Sequence, residues 1–351
     1  MKVISAVNVN DALAKGVDLF NSPVNYRTQE SRNGMTMEAL TPVTTVYKKP
    51  WQRVLFNSER DANPFFHLYE AIWMLAGSQD LKKLTHFNAG MANFSDDGET
   101  LNGSYGYRWR KQFGYDQISS VVETLEFEPD SRRVVLQMWD GVLDLHSSSK
   151  DVPCNTNIYF KIRDNKLQMT VCNRSNDMIW GAYGANAVHM SVLQEYVADF
   201  LGLEMGPYYQ VSDSFHVYQN KEWDKVKHLT CDPFNTLYNQ SIYPDEHYPL
   251  CSDPENFISD CQNFIESAVP PRYMAGNPEL VETWPAIYGK YKNTFFPEVL
   301  IPMIRAYLAH KDRKYEKCYD FLAEIQAEDW QQACVQWIKK RESNWRKNNA
   351  S

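Results

Sequence analysis

The segment Asp151–Asn157, DVPCNTN, contains the residue with the clearest chemical potential, Cys154, which follows a proline and precedes three polar residues. A cysteine buried for packing usually has apolar neighbours, so we expect Cys154 at the mouth of a strand, facing a pocket. Its thiolate would be the nucleophile, and nearby positive charge lowers a thiol pKa from about 8.5. The segment therefore predicts either a nucleophile or a structural cysteine.

Arginines occur at the ends of two predicted strands. Arg132 and Arg133 open the strand in DSRRVV, and Arg174 with Ser175 follows another strand in CNRSND. A single surface arginine is usually just solvated. Taken together, these guanidinium groups could instead clamp a phosphate through paired, charge-assisted hydrogen bonds.

Two further segments place polar groups in apolar surroundings. Glu70 lies within FFHLYEAIWML, where burial of an isolated carboxylate is costly. It is either a proton relay or a carboxylate satisfied by a structural partner. His216 and Tyr218 lie two residues apart on one face of a strand, as a binding pair or as a core pair.

The elements that must position these groups change along the chain. FFHLYEAIWMLAGS predicts a helix that ends at Gly77, and a second helix is expected to reach Phe94. Strands are predicted in RRVVLQMW, NIYFKI, LQMTVC and YYQVSDSFHVY, with a hairpin at RDNK and a helix over Asn186–Phe200. This order predicts an α+β fold in which a mixed sheet packs against helices.

The rest of the sequence shows different secondary-structure patterns. An irregular stretch from about 221 to 272 precedes a wholly helical zone from about 295 to 347. We therefore predict a catalytic domain over residues 1–230 and an extension over 231–351 that is first irregular and then helical.

Composition excludes several classes of protein. The 351 residues contain 36 Lys and Arg against 44 Asp and Glu, a formal charge of −8, which is the wrong sign for coating a nucleic acid. The seven cysteines lack CxxC spacing, so neither a metal site nor a disulfide framework is indicated. Because we find no membrane-spanning run and no signal peptide, we expect a cytoplasmic protein without a membrane partner.

Together these segments resemble the thymidylate synthase superfamily, and within it the phage-type deoxypyrimidine hydroxymethylases. The resemblance rests on EAIWMLAG, GSYGYRWR, DSRR, PCNTN, RSND, GAYGAN and HVY, which occur in the family's order between Arg32 and Tyr218. It implies a thymidylate synthase-like fold. It also implies transfer of a one-carbon unit from 5,10-methylenetetrahydrofolate, as co-substrate, to C5 of a pyrimidine nucleoside monophosphate.

The resemblance assigns the catalytic residues. Cys154 is similar to the thiolate that adds to C6 of the pyrimidine, which makes C5 a carbon nucleophile. Glu70 resembles the buried glutamate that moves protons through water, and Tyr105 resembles the tyrosine linked to removal of the C5 proton.

The resemblance also assigns the phosphate ligands. Arg32, Arg174 and Ser175 resemble ligands from the same subunit, whereas Arg132 and Arg133 resemble the pair that the partner subunit contributes. A homodimer is therefore implied, and the four arginines are expected to lower the pKa of Cys154.

The other assignments concern sugar, base and folate. His216 and Tyr218 resemble the pair that holds the sugar 3′-hydroxyl, and Asp177 resembles an aspartate near the folate ring. Asn186 resembles the asparagine at the base edge, although GAYGAN is one residue longer than the usual pattern, so Ala185 is an alternative. The folate platform would include Met91 and Phe94.

Departures from the synthase pattern favour hydroxymethylation. Asn155 replaces a histidine, Ser214 replaces an aspartate, and the closing residues SNWRKNNAS do not resemble the synthase tail KMEMAV. The transferred carbon forms an exocyclic methylene group at C5. The product is a methyl group if hydride reaches this methylene and a hydroxymethyl group if water does. We predict a hydroxymethylase of dUMP or dCMP, with dUMP slightly favoured. The alternatives are a thymidylate synthase, a homologue that binds nucleotide or RNA without catalysis, and a cysteine hydrolase, for which no motif places a base.

Overall fold

The structure is a computed structural model, and it describes residues 1–229, 247–267 and 291–349. Its strands are β1 (Lys2–Ala6), β2 (Tyr26–Ser31), β3 (Gly34–Ala39), β4 (Val43–Tyr47), β5 (Val135–Gln137), β6 (Asn155–Arg163), β7 (Lys166–Asp177) and β8 (Glu204–Tyr218). Its α-helices are α1 (Val9–Phe20), α2 (Pro64–Leu75), α3 (Leu81–Thr85), α4 (Tyr105–Tyr107), α5 (Gln117–Phe127), α6 (Asn186–Phe200), α7 (Lys221–Val226), α8 (Pro254–Ser267), α9 (Ile301–Lys311), α10 (Tyr315–Ala323) and α11 (Glu328–Asn348). Short 3-10 segments lie at Pro23–Asn25 and Ala89–Phe94, and π-helical segments lie at Arg108–Gln112, Met178–Ala185 and Phe296–Leu300.

The strands form one mixed sheet in the order β1-β4-β8-β7-β6-β5, with β2 paired to β3 and β3 also paired to β8. The pairs β1/β4 and β7/β8 are parallel, and the other pairs are antiparallel. Strand β8 is long enough to pair with β4 along its first half and with β3 near its end. A mixed sheet with helices confirms the predicted α+β class.

The β6–β7 hairpin forms where RDNK predicted it. Asp164 and Asn165 have φ of +51° and +57°, the left-handed conformation that a two-residue type I′ turn requires and that Asp and Asn tolerate. Leu167, Met169 and Val171 are fully buried, so their alternation with polar residues gives one buried face, as predicted.

The parallel pairing of β7 with β8 continues to the last residues of β7. Ser175 faces Ser214, and Asp177 faces His216. The RSND and SFHVY segments, which lie far apart in sequence, therefore meet at one end of the sheet.

Helix α2 is buried along its whole length. Asn63 caps its first turn by accepting a hydrogen bond from the Phe66 amide at 3.2 Å, and the chain turns away after it at Gly77, where φ is +69°. The second helix predicted to reach Phe94 is wrong, because the segment is divided into α3 and a 3-10 turn. Asn88 begins that turn by accepting from the Gly90 amide at 3.1 Å.

The C-terminal zone is helical, as predicted, and its helices pack against α2. The ring of Phe65 lies 5.4 Å from that of Tyr307 in α9 and 5.5 Å from that of Trp337 in α11. Arg341 adds a two-point ion pair to Asp61, with distances of 2.6 and 3.0 Å. The far end of the chain therefore supports the helix that carries Glu70.

The stretch predicted to be irregular contains two helices, α7 and α8. Helix α8 buries Phe257, Cys261 and Phe264, whose spacings of four and three residues fit one helix face. The predicted boundary between residues 230 and 231 lies outside the described ranges, and the division into two domains stays a prediction.

A buried ion cluster joins α6 to residues 247–250. Glu195 pairs through Oε2 with Arg53 and through Oε1 with His247 Nε2 at 2.8 Å. The Leu250 amide also donates to Glu195 Oε1, at 2.9 Å. Burial raises the pKa of Glu195, but Arg53 and His247 outweigh it and bring that pKa to about 2.

Candidate active site

Cys154 is the residue immediately before β6, and it lies in a cleft of about 520 Å³. The cleft is formed by the β2–β3 turn, the loop before β6, and the ends of β7 and β8. Among the residues that line it are Arg32, Asp151, Cys154, Arg174, Ser175 and Tyr218. The predicted thiol, three of the predicted phosphate ligands and one member of the predicted sugar pair therefore meet in one cavity.

Arg174 holds the loop that presents the thiol. Its Nε donates to the Pro153 carbonyl at 2.8 Å, and its Nη2 donates to the Val152 carbonyl at 3.0 Å. The same Nη2 lies 3.9 Å from Cys154 Sγ, and the guanidinium lies over the ring of Trp139 at 5.6 Å. The thiol is thus placed beside a cation that is itself anchored to the backbone.

Burial raises the pKa of the Cys154 thiol above its usual value, whereas Arg174 and Arg32 act to lower it. Asp151 and Asp177 act in the same direction as burial. Arg174 and Arg32 therefore act in the expected direction, but the net pKa within one protomer lies above the usual value, because desolvation of the thiolate outweighs the two guanidinium groups.

Glu70 and Tyr105 lie behind this cleft and do not line it. Glu70 is buried in α2, and its Oε2 lies 3.1 Å from Nε2 of the buried His189. The Tyr105 hydroxyl accepts from the Asn155 amide at 3.4 Å, so it contacts the residue after Cys154. Burial and the neighbouring Cys154 raise the pKa of Tyr105.

Gly106 explains how Tyr105 reaches this position. A Cβ at residue 106 would lie 1.9 Å from the Met74 carbonyl oxygen, so only glycine lets the turn after Ser104 lie directly on α2. The two predicted proton-transfer residues are therefore held by elements in direct contact.

Asn186 is the first residue of α6 and belongs to a buried chain of amides. Its Oδ1 accepts from Asn155 Nδ2 at 3.3 Å, and its Nδ2 donates to Asn176 Oδ1 at 3.1 Å. The π-helical segment Met178–Ala185, irregular at Tyr183 and Gly184, accommodates the longer GAYGAN sequence before α6 begins. Asn186 is thus connected to the neighbour of Cys154.

His216 and Tyr218 lie at the end of β8, with their rings 5.4 Å apart and nearly perpendicular. The Tyr218 hydroxyl accepts from Asn33 Nδ2 at 3.4 Å in the turn that carries Arg32. Tyr218 lines the cleft, whereas His216 is buried and its Nδ1 lies 3.2 Å from the Ser214 carbonyl.

Asp177 has one oxygen that the described residues leave unpaired. Its Oδ1 accepts from the Trp180 amide, and its buried Oδ2 has no hydrogen-bond partner among the described residues. Burial raises the pKa of this carboxyl. Phe94 lines the cleft with an exposed ring, whereas Met91 packs against the core.

Arg132 and Arg133 are not brought to the cleft of their own chain. Both side chains are exposed before β5, and Arg133 Nη2 pairs with Glu128 at 2.8 Å. The strand predicted from Arg132 onward begins only at Val135. A role for the two arginines in a partner's site stays a prediction.

Asp151 is a carboxylate of the cleft to which the sequence analysis gave no role. It stands in the DVPCNTN segment, three residues before the thiol, and lines the same cavity. Its position was visible in the sequence, but its contact with Gly103 in a distant loop was not. Within the described ranges, no cluster of three or more metal-ligating side chains is present, and no helix is long and apolar enough to cross a membrane.

Comparison with known proteins identifies relatives over nearly the whole chain. The family model for thymidylate synthase matches residues 28–240. The chain is 42% identical to the deoxyuridylate hydroxymethyltransferase of Pseudomonas phage M6, over 97% of this chain and 95% of that protein. It is 34% identical to the protein of the same name from Bacillus phage SP01, over 69% of this chain and 65% of the relative. A putative thymidylate synthase of Methanosarcina barkeri is 40% identical over 36% of this chain and 57% of its own length.

Proposed function

The chain belongs to the thymidylate synthase family, a family of folate-dependent one-carbon transferases, and on this premise we propose that it hydroxymethylates C5 of dUMP. The observation that carries the proposal is the position of Cys154 in a cleft shared with Arg32, Arg174 and Ser175. Three relatives named deoxyuridylate hydroxymethyltransferase support the choice of uracil and of a hydroxymethyl product.

The polar side chains of the cleft suit the phosphate and the sugar of a nucleotide. Arg32 and Arg174 bind the phosphate by charge-assisted hydrogen bonds, and Tyr218 with His216 binds the sugar. Binding of the dianion orients C6 of the ring over the sulfur. The phosphate also neutralises the guanidinium groups, so arginines from a partner subunit add positive charge that favours the thiolate form of Cys154.

Covalent addition makes C5 reactive. The Cys154 thiolate forms a bond to C6, and the electrons of the C5–C6 double bond move toward O4, where the Asn186 amide stabilises the anion. C5 then attacks the one-carbon unit. Tyr105, with water held near Glu70, takes the C5 proton, and the electrons it leaves expel tetrahydrofolate as the bond between the one-carbon unit and the folate nitrogen breaks. An exocyclic methylene then remains on the pyrimidine.

The co-substrate is methylenetetrahydrofolate, which supplies the one-carbon unit at the oxidation level of formaldehyde. The buried, unpaired Oδ2 of Asp177 fits an N–H donor of the pterin ring, and the exposed rings of Phe94 and Trp180 fit its aromatic faces. Met91 lies in the same 3-10 segment as Phe94 and packs against the core.

A homodimer completes the site. Val135, Tyr159, Thr170 and Tyr209 face one another in register across β5, β6, β7 and β8, and Val135 and Tyr159 are 45% and 44% exposed. This uncovered row supports packing against the same face of a second copy. It begins next to Arg132 and Arg133, which would reach the partner's phosphate.

Mixing two inactive variants tests the shared site. Cys154→Ser homodimers lack the nucleophile, and double Arg132→Ala/Arg133→Ala homodimers lack the partner's cations. After subunit exchange, mixed dimers regain activity because one of their two sites contains both sets of residues. If the mixture stays inactive while sedimentation shows mixed dimers, the arginines do not act across the interface.

Product analysis tests the function itself. The protein is incubated with methylenetetrahydrofolate and dUMP, dCMP, UMP or CMP side by side, and the nucleotide products are identified by mass spectrometry. We expect 5-hydroxymethyl-dUMP and tetrahydrofolate, with no turnover by Cys154→Ser. A methyl product with dihydrofolate would instead establish thymidylate synthesis, which the partial match to putative synthases favours. Binding of dUMP without turnover would establish the non-catalytic alternative.

A further inference from the structure

Asp151 is a cleft carboxylate held in a fixed position beside the nucleophile. Its Oδ2 accepts from the Gly103 amide at 2.7 Å, and its backbone carbonyl accepts from Asn102 Nδ2 at 3.0 Å. The Asp151 amide also donates to Ser149 Oγ at 3.1 Å. The one hydrogen bond described for the carboxyl engages Oδ2, and no described residue bonds to Oδ1 of this cleft-lining side chain.

The loop around Gly103 is shaped to fit this carboxylate. A Cβ at residue 103 would lie 2.7 Å from Asp151 Oδ1 and 3.0 Å from Oδ2. Close approach of the two loops therefore requires glycine at position 103. Such a close backbone contact limits rotation of the carboxyl, as expected for a group whose direction matters.

Two other carboxylates of this region are engaged elsewhere. Asp144 also lines the cleft, but both of its oxygens bind the buried Arg108, at 2.6 and 2.9 Å. Glu70 faces His189 within the core. Asp151 has no ion-pair partner among the described residues, and its charge acts on Cys154 and on Tyr105.

Burial raises the pKa of Asp151 above its usual value, with a further contribution from the charge of Glu70. A carboxylate with a raised pKa is a better proton acceptor than one in open solvent. This supports a role in proton transfer that the position of the group already indicates.

Resting on the proposed function, we infer that Asp151 is the general base that takes a proton from the water molecule that attacks the methylene at C5. The water oxygen forms a bond to the methylene carbon, one water proton passes to Asp151 Oδ1, and the electrons of the exocyclic double bond move toward O4. The enolate electrons then restore the C5–C6 double bond as the C6–sulfur bond breaks and Cys154 leaves as thiolate. Asp151 returns its proton to solvent through the cleft.

The test uses Asp151→Asn, whose side-chain oxygen still accepts from the Gly103 amide but is no longer a base. The matched control is Asp96→Asn, because Asp96 contacts the same loop at Ser149 Oγ and at the Lys150 amide, at 2.5 and 3.2 Å, outside the set that lines the cleft. Three readouts are measured: formation of hydroxymethyl product, the covalent adduct of Cys154 with 5-fluoro-dUMP and methylenetetrahydrofolate, and trapping of the methylene by 2-mercaptoethanol. The 2-mercaptoethanol reacts as its thiolate, so its addition to the methylene needs no general base.

We expect Asp151→Asn to lose about 10²-fold in hydroxymethyl formation, while it forms the adduct and the mercaptoethanol thioether at rates close to those of the wild type and of Asp96→Asn. Unchanged hydroxymethyl formation would overturn the inference, and so would an equal loss of adduct and thioether or an equal defect in Asp96→Asn. Failure of the wild-type protein to form adduct or product would instead refute the proposed function.

Discussion

Replacing Arg174 with glutamine should raise the pKa of Cys154 further and slow its reaction as a thiolate. The guanidinium Nη2 lies 3.9 Å from Sγ, a separation at which opposite unit charges attract by about 4 kcal/mol at an effective dielectric constant near 20. Because the Arg174 side chain is exposed, solvent screening reduces this to about 1 kcal/mol. That energy equals about 0.7 pKa unit, or about a fivefold fall in thiolate below the pKa.

Alkylation of Cys154 by iodoacetamide measures this change directly. The rate is followed against pH by peptide mass spectrometry in the absence of nucleotide, so that modification of the other cysteines is counted separately. Arg174→Lys keeps the charge and should recover most of the rate. Arg163→Gln removes an exposed arginine at the opposite end of β6 and should leave it unchanged.

The reasoning fails if Arg174→Gln leaves the midpoint of the alkylation profile where it is or moves it to lower pH. It also fails if Arg163→Gln moves the midpoint equally, since the effect would then reflect net charge rather than contact. A retained midpoint with a changed maximal rate would indicate altered access to the sulfur instead of altered ionisation.

Three further substitutions probe the support of the site. Gly106→Ala forces the turn away from α2 and should destabilise the fold by about 1–3 kcal/mol, with a larger proportional loss of turnover than of dUMP binding; unchanged denaturant unfolding would contradict this. Burial raises the pKa of Glu195, but Arg53 and His247 lower it to about 2 from 4.5, so its contribution is present above pH 4.5 and is lost as pH falls toward 2. Glu195→Gln should remove about 3 kcal/mol of the fall in the free energy of unfolding between pH 4.5 and 2. By leaving Arg53 unpaired, it should also destabilise the protein at pH 7 by about 3–5 kcal/mol. An unchanged fall in this acidic range would refute the assignment. Arg341→Ala breaks the ion pair between α11 and the segment before α2 and should cost about 1 kcal/mol, read as a lower midpoint of urea unfolding, while Arg346→Ala on the same helix should have little effect.

Local patterns predicted much of the fold because they act over a few residues. The helix over Asn186–Phe200 and the hairpin at Asp164 and Asn165 follow from side-chain periodicity and turn chemistry. The continuous helix to Phe94 is wrong because Asn88 and its neighbours prefer a side-chain cap to the backbone bonds of a helix. The helix over Pro254–Ser267 was overlooked because its apolar face alternates with many polar residues.

The candidate site was predictable where motifs alone specify it, and less so where distant elements meet. Cys154, Arg174 and Arg32 were named from their segments, and they line one cleft. The contact of Glu70 with His189 and the contact of Asp151 with Gly103 depend on packing between elements. No local pattern in the sequence encodes which buried polar group faces which.

The parallel ladder between β7 and β8 limits how this protein can change. Because side chains alternate between the two faces of a strand, a residue inserted just before Asp177 or His216 would turn that side chain to the opposite face of the sheet unless a bulge absorbed it. We therefore expect the pocket to change more readily by exchange of side chains than by a change in the length of these strands. Insertions should be better tolerated in the π-helical segment Met178–Ala185, where Tyr183 and Gly184 already depart from regular helix.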